Sequence, residues 1–392
     1  MSYSHVSVAI PMMAELANLP MMMRQLREQR HRDFSVYCCV NQPETDRSEI
    51  FEENQETLRL LGEVNDLDLH LIDHSSPGCG WSGKRKGVGW ARKELFNAIV
   101  SEQSEEELIV SMDADTEFSP TYLEAVLHAM NRHPEWSALS VPYYHPLNGD
   151  ELQDRALLRY ECYMRHYLIN LLLIGNPYAF SALGSAMVFS AHAYRRVGGI
   201  TPLQGGEDFY LLQKFAKTGV VGRKLEECVR PQGRISHRVP FGTGPAVAQG
   251  VCTYGDGGDM ECGYPFYPHA AFAAVRETFK MMPRLYDTDV ETPMSAFLRQ
   301  QLDTDNLWEP LRKNFKTRDL FVHACHERVD GLRILQYLKT QLTPGTSDNA
   351  EFVSFCQQQG IAVPPDFSFA TSPIGEIDAL RDALFALEMH LR

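Results

Sequence analysis

The sequence is short of positive charge: 37 Lys and Arg stand against 51 Asp and Glu, a formal net charge of −14. Nucleic acid and anionic membrane are held by a basic face, so a general affinity for either is excluded as an expectation. A long apolar run is also lacking. The most apolar stretch, Tyr167 to Ala191, is broken by Gly175, Asn176, Pro177 and Gly184. Its uninterrupted run, Leu171 to Ile174, is far too short to span a bilayer, so buried core is expected there and no transmembrane segment. No basic leader with a cleavage site precedes the first strand pattern, so no signal peptide is expected. Cysteine is scattered: nine residues, an odd number without CxxC spacing, in a chain too long to need staples. Reduced thiols and a cytoplasmic location are the expectation. A dinucleotide fingerprint is missing as well. "SGKRKGVGWARKE" (Ser82 to Glu94) has Arg92 where Gly or Ala is required and no strand directly before it, which excludes a Rossmann oxidoreductase.

What is present reads as a globular chain of 392 residues, 44% hydrophobic and 22% charged. "HVSVAIP" (His5 to Pro11), "FSVYCCVN", "LDLHLID", "ELIVSMDAD" and "SALSVPYY" carry strand patterns. Helical spacing fills the segments between them, as in "ANLPMMMRQLREQR" and "VGWARKELFNAIV". This alternation predicts an α/β domain with a mainly parallel, doubly wound sheet flanked by helices. Ligands bind such sheets at the carboxyl ends of the strands, where Pro11, Asn41, Asp73, Asp113 and Asp115 all fall. "TGPAVAQGVCTYGDGGDMECGYP" reads as a long glycine-rich loop, and helical segments follow from about Pro268. The expected organisation is a nucleotide-binding and catalytic domain over 1–245 and a mostly helical C-terminal region over 246–392.

Four segments carry chemistry. "LIVSMDAD" ends an apolar strand on two carboxylates, Asp113 and Asp115, which raise each other's pKa unless a cation is near. Carboxylate, water and phosphate oxygens are what Mg²⁺ or Mn²⁺ accepts. "GGEDFYLLQKFAKTG" puts Glu207 and Asp208 in the first turn of a helix, as a capping pair or as a base aimed at a hydroxyl. "QGRISHRVPFGTG" offers His237, as a semi-buried histidine or as a third ligand for metal or phosphate. Lys84, Arg85, Lys86, Arg92 and Lys93 form the most basic patch, where Gly87 and Gly89 would let backbone approach a phosphate at a helix N-terminus.

In this order the segments resemble a GT-A-fold glycosyltransferase, family 2-like, over the first 245 residues. The likeness rests on "IPMMAELANLP", "GVGWARKEL", "MDAD", "GGITPLQGGEDFYLL" and "SHRVPFGTG". It implies a Rossmann-like GT-A domain and hexosyltransferase-type chemistry, with a UDP- or GDP-linked sugar donor and a carbohydrate or small-molecule acceptor. Pro11 and Glu15 would help hold the nucleotide, and Asn41 would meet its base or ribose. Lys86 and Arg92 would sit near the base or phosphates, and Asp113 near the ribose or the metal's water shell. Asp115 would hold Mn²⁺ or Mg²⁺, His237 would reach the metal or diphosphate, and Asp208, beside Glu207, would be the catalytic base of an inverting transfer. Met12 and Met13, Asn41 and Lys93 depart from the family pattern and leave uridine and guanosine both open. Two rival readings are a sugar-1-phosphate nucleotidyltransferase, whose first loop would carry glycine and a basic residue, and a non-catalytic nucleotide-sugar-binding protein. Self-association through the C-terminal helices stays open.

Overall fold

Strand β1 (Val6–Met12) is buried along its whole length, as a central strand covered on both faces must be. The computed structural model describes residues 2–45, 49–83, 85–236, 239–258, 264–343 and 347–392. After β1 come α1 (Leu19–Glu28), β2 (Phe34–Asn41), α2 (Glu49–Gly62), β3 (Leu69–His74), α3 (Val88–Glu102) and β4 (Leu108–Ser111). Then follow β5 (Thr116–Glu117), α4 (Tyr122–Arg132), β6 (Trp136–Ser140), α5 (Glu151–Leu173), β7 (Met187–Ser190) and α6 (Ala191–Arg196). The series continues with α7 (Glu207–Thr218), β8 (Val220–Gly222), β9 (Arg230–Pro231) and α8 (Thr243–Gly255).

Seven strands form one sheet in the order β3-β2-β1-β4-β7-β6-β8, and β5 pairs with β9 apart from it. β1 runs parallel to β2 and β4, β2 to β3 and β6 to β8; β7 alone is antiparallel to its neighbours β4 and β6. The expected α/β class, mainly parallel sheet and flanking helices are therefore present. α3 packs on β1, β2 and β4, α2 on β2 and β3, α6 on β7, and α7 on β6 and β8. Proline in a central strand removes a ladder donor. Pro11 is tolerated because β1 stops pairing with β4 at Ala9, opposite Ser111.

One expectation is made more specific and one is corrected. The stretch read only as buried core contains the end of α5 and the inserted strand β7, which four buried residues, Met187 to Ser190, are too few to announce by alternation. The presumed loop after residue 242 begins with helix α8, whose Ala246, Val247, Ala248 and Gly250 are buried. Packing of small side chains there outweighs the poor helix propensity of glycine.

The chain divides into two units: 1–157 with 180–255, and 158–179 with 256–392, so that residue 245 falls inside α8. The second unit holds the helical C-terminal region: α9 (His269–Met281), α10 (Ser295–Leu302), α11 (Glu309–Asn314), α12 (Arg318–Arg328), α13 (Gly331–Thr340), α14 (Asp348–Gln358) and α15 (Ile374–Leu391). Its core includes Phe266, Phe272, Phe352 and Phe355. Among the described residues no helix is long and apolar enough to cross a membrane.

Candidate active site

Because β1, β2 and β4 run parallel, their carboxyl ends share one edge. Pro11 lies in β1 and Asn41 ends β2 there, while Asp113 and Asp115 follow β4. Asn41 is buried, and its Nδ2 donates to the carbonyls of Met12 at 2.8 Å and Cys39 at 3.3 Å, tying the two strand ends together. The next support is Asn54 of α2, which accepts from the Ala14 amide at 2.9 Å and donates to the Asn41 carbonyl at 3.2 Å. Ala14 itself has a left-handed φ of 51°, so the turn after β1 is held against its preference.

The aspartate pair is met by arginines. Arg92, on α3, is buried; its Nη2 donates to Asp113 Oδ1 at 2.7 Å and its Nη1 to Glu207 Oε1. Burial opposes the guanidinium charge, but Asp113 and Glu207 hold its pKa above the usual arginine value. Arg234, in the segment after β9, donates from Nε to Asp115 Oδ2 at 3.0 Å and from Nη2 to Glu15 Oε1. Glu15 also accepts from Asn18 Nδ2 at 2.7 Å. The strand-end carboxylates thus connect Glu15, on one side, with the first turn of α7 on the other.

Two glycines make this geometry feasible. A Cβ on Gly184 would lie 1.8 Å from Arg92 Nη2, so the guanidinium occupies space that any side chain there would take. Gly206 caps α7 with φ 77°, turning the chain so that Glu207 and Asp208 open the helix. Gly89 is expected from the sequence to let backbone approach a phosphate; the backbone it approaches is Leu203, whose carbonyl would lie 2.2 Å from a Cβ.

Asp208 differs from its neighbours. Burial pushes its carboxyl up to about 7, and the Glu207 charge adds to the rise, while Arg92 and the Phe209 amide, at 2.7 Å from Oδ1, oppose it. Glu207 is itself buried and committed to Arg92. Of the acidic pair, then, Glu207 is the one paired with Arg92, and Asp208 is the one whose carboxyl burial raises.

Lys86 is exposed in the loop before α3, apart from the buried Arg92 pairs, and His237 lies outside the described residues. Among the described residues no three His, Cys, Asp or Glu side chains cluster as metal ligands. Arg234 escapes the sequence reading although its segment stands out there. No local pattern marks it: its partner Glu15 lies 219 residues earlier.

Residues 108–250 match the family model described as glycosyl transferase family group 2. No curated protein sequence matches the chain. Among solved structures, residues 1–349 of S. aureus TarS in complex with UDP-GlcNAc share 12% identity, with 92% of this chain and 93% of that one covered and a TM-score of 0.43. Mannosyltransferase PcManGT from Pyrobaculum calidifontis, in complex with GDP-Man and Mn2+, shares 13% identity over 99% of this chain and 86% of that one, at a TM-score of 0.38. At TM-scores this low, neither likeness decides anything about this chain. The matched segment takes in Asp113, Asp115, Glu207 and Asp208, the carboxylates that the fold gathers, and over it this chain is similar to glycosyl transferase family group 2.

Proposed function

We propose that the chain moves a sugar from a nucleoside diphosphate donor to an acceptor hydroxyl, with inversion and with Asp208 as base. The acceptor O–H gives its proton to the Asp208 carboxylate as its oxygen bonds to the anomeric carbon. The bond from that carbon to the diphosphate oxygen breaks, and the leaving group keeps the electron pair. The observation that carries this reading is the place of Asp208, in the first turn of α7 beside a Glu207 that Arg92 has taken out of play, where burial raises its carboxyl. A base works best with a pKa near working pH and within reach of the hydroxyl.

Mn²⁺ or Mg²⁺ fits the residues at the strand end. Such an ion needs only one or two protein carboxylates, the remaining oxygens coming from diphosphate and water. Asp115 would hold it, with Asp113 at its water shell, and His237 remains the third candidate. Once bound, it would stabilise the departing diphosphate as a Lewis acid. Pro11, Glu15, Asn41 and Lys86 keep their proposed place around the nucleotide, with Asn41 acting through the backbone it ties. A UDP- or GDP-linked donor and a carbohydrate or small-molecule acceptor complete the proposal.

Asp208→Asn is the direct test. It should leave nucleoside diphosphate affinity unchanged and lower turnover at least ~100-fold, the scale of a lost base. Wild-type turnover in that variant would end the assignment.

A further inference from the structure

We infer that Arg92 is a positioning residue: it fixes the distance between the D-x-D strand end and the base-bearing turn of α7, and it does not bind the donor phosphates. The inference rests on the transfer reaction proposed above. Three elements meet at this one guanidinium. α3 supplies it, Asp113 receives Nη2 at 2.7 Å, and Glu207, next to Asp208, receives Nη1. The planar fork of a guanidinium has fixed spacing, so two acids held on its two arms are held at a fixed separation.

Burial decides against a phosphate role. The Arg92 side chain is 4% exposed and that of Glu207 is 2% exposed. Turning to a phosphate would strand Glu207 as an uncompensated buried charge, which is strongly unfavourable. Space points the same way, since the guanidinium lies in the slot left by the missing Cβ of Gly184. Among the described residues Arg92 Nε has no hydrogen-bond partner, so the side chain is aimed by its two terminal nitrogens alone. Glu207, for its part, is the tether through which Arg92 acts on Asp208.

The test separates charge balance from placement. Arg92→Gln alone strands two acids, so the double variant Arg92→Gln/Glu207→Gln is the informative one. Release of UDP from UDP-GlcNAc and of GDP from GDP-mannose would be followed with Mn²⁺ present. The double variant should keep its Tm within about 3 °C and its donor KM within about threefold, while kcat falls about 100-fold, the scale of a misplaced reacting group. Gly184→Ala keeps every charge but displaces the guanidinium, and should show the same split between kcat and KM. Near-wild-type kcat in either folded variant would overturn the inference, as would a raised donor KM at unchanged kcat. If the double variant does not fold, Gly184→Ala decides alone. A wild-type protein that releases neither nucleotide would overturn the transfer reading itself, and this inference with it.

Discussion

Each unit of the chain buries a cluster of ions, and the two clusters are built differently. In the second unit Glu161, Asp378 and Glu388 meet Arg165, Arg381 and Arg392. Arg165 and Glu161 are both fully buried one helical turn apart on α5, with Arg165 Nε 3.0 Å from Glu161 Oε1. Arg165 also reaches Glu388 on α15 and stacks over Phe385 with its Cζ 4.6 Å from the ring centroid. Among the described residues these three acids and three bases pair with one another, as suits a network that joins helices. In the first unit Glu15, Asp113, Asp115, Glu207 and Asp208 share Arg92 and Arg234 among the described residues. In that group two arginines bridge the acids instead of matching them singly, and the proposed function adds a proton on Asp208 and a cation at Asp115. A paired cluster holds a fold; the bridged one is proposed to take something up.

The comparison breaks most visibly if an arginine is removed from the paired side. Arg165→Met leaves Glu388 with Arg392 and Glu161 with the more distant Arg381, 3.6 Å away. Breaking a buried pair in this way should cost about 3–5 kcal/mol, read as a lower urea midpoint for the second unit. Nucleoside diphosphate affinity measured well below that midpoint should not change. Loss of affinity without loss of stability would mean that this cluster, too, serves the site.

The bridged side is sharpened by removing an acid. Asp115→Ala leaves Arg234 with Glu15 and takes away the carboxylate that would hold the proposed ion. Calorimetry should then find the Mn²⁺-dependent part of nucleoside diphosphate affinity gone, a loss of about tenfold or about 1.4 kcal/mol. An undiminished metal effect would move the ion elsewhere.

How much of this is legible in the sequence depends on how local each signal is. β1 to β4 and the helices between them announce themselves within ten or fifteen residues, by alternation and by 3.6-residue spacing. The two acidic motifs can be placed because each stands at an element boundary: Asp113 and Asp115 after β4, Glu207 and Asp208 opening α7. Arg92 stands out by its charge and is placed near the base or phosphates by the resemblance; only the fold shows that its partners are Asp113 and Glu207, the latter 115 residues away. Arg234 escapes notice for the same reason. Strand β7 is hidden by its length, and α8 by glycines at 244, 250 and 255 that composition assigns to a loop. What the sequence conceals is mostly who pairs with whom.

A further effect lies in pH. His166 in the second unit is buried among Phe266, Phe272 and Phe355, and burial lowers its pKa from 6.5 to about 3. The unfolded chain therefore binds a proton between those values that the folded unit refuses. His166 contributes its full stability above pH 6.5, and loses it as pH falls toward 3. Asp208 has the opposite sign: with its carboxyl raised from 3.8 to about 7, the folded protein holds a proton that the unfolded chain has released. Its burial costs stability above pH 7, and that cost is relieved as pH falls toward 3.8. Each slope is bounded by about 1.4 kcal/mol per pH unit for a single proton. Calorimetry from pH 7 to pH 5 should show His166→Phe flattening the acid loss of stability and Asp208→Asn steepening it. If the two substitutions moved the pH dependence in the same direction, the contrast between a sealed cluster and a receptive one would not hold.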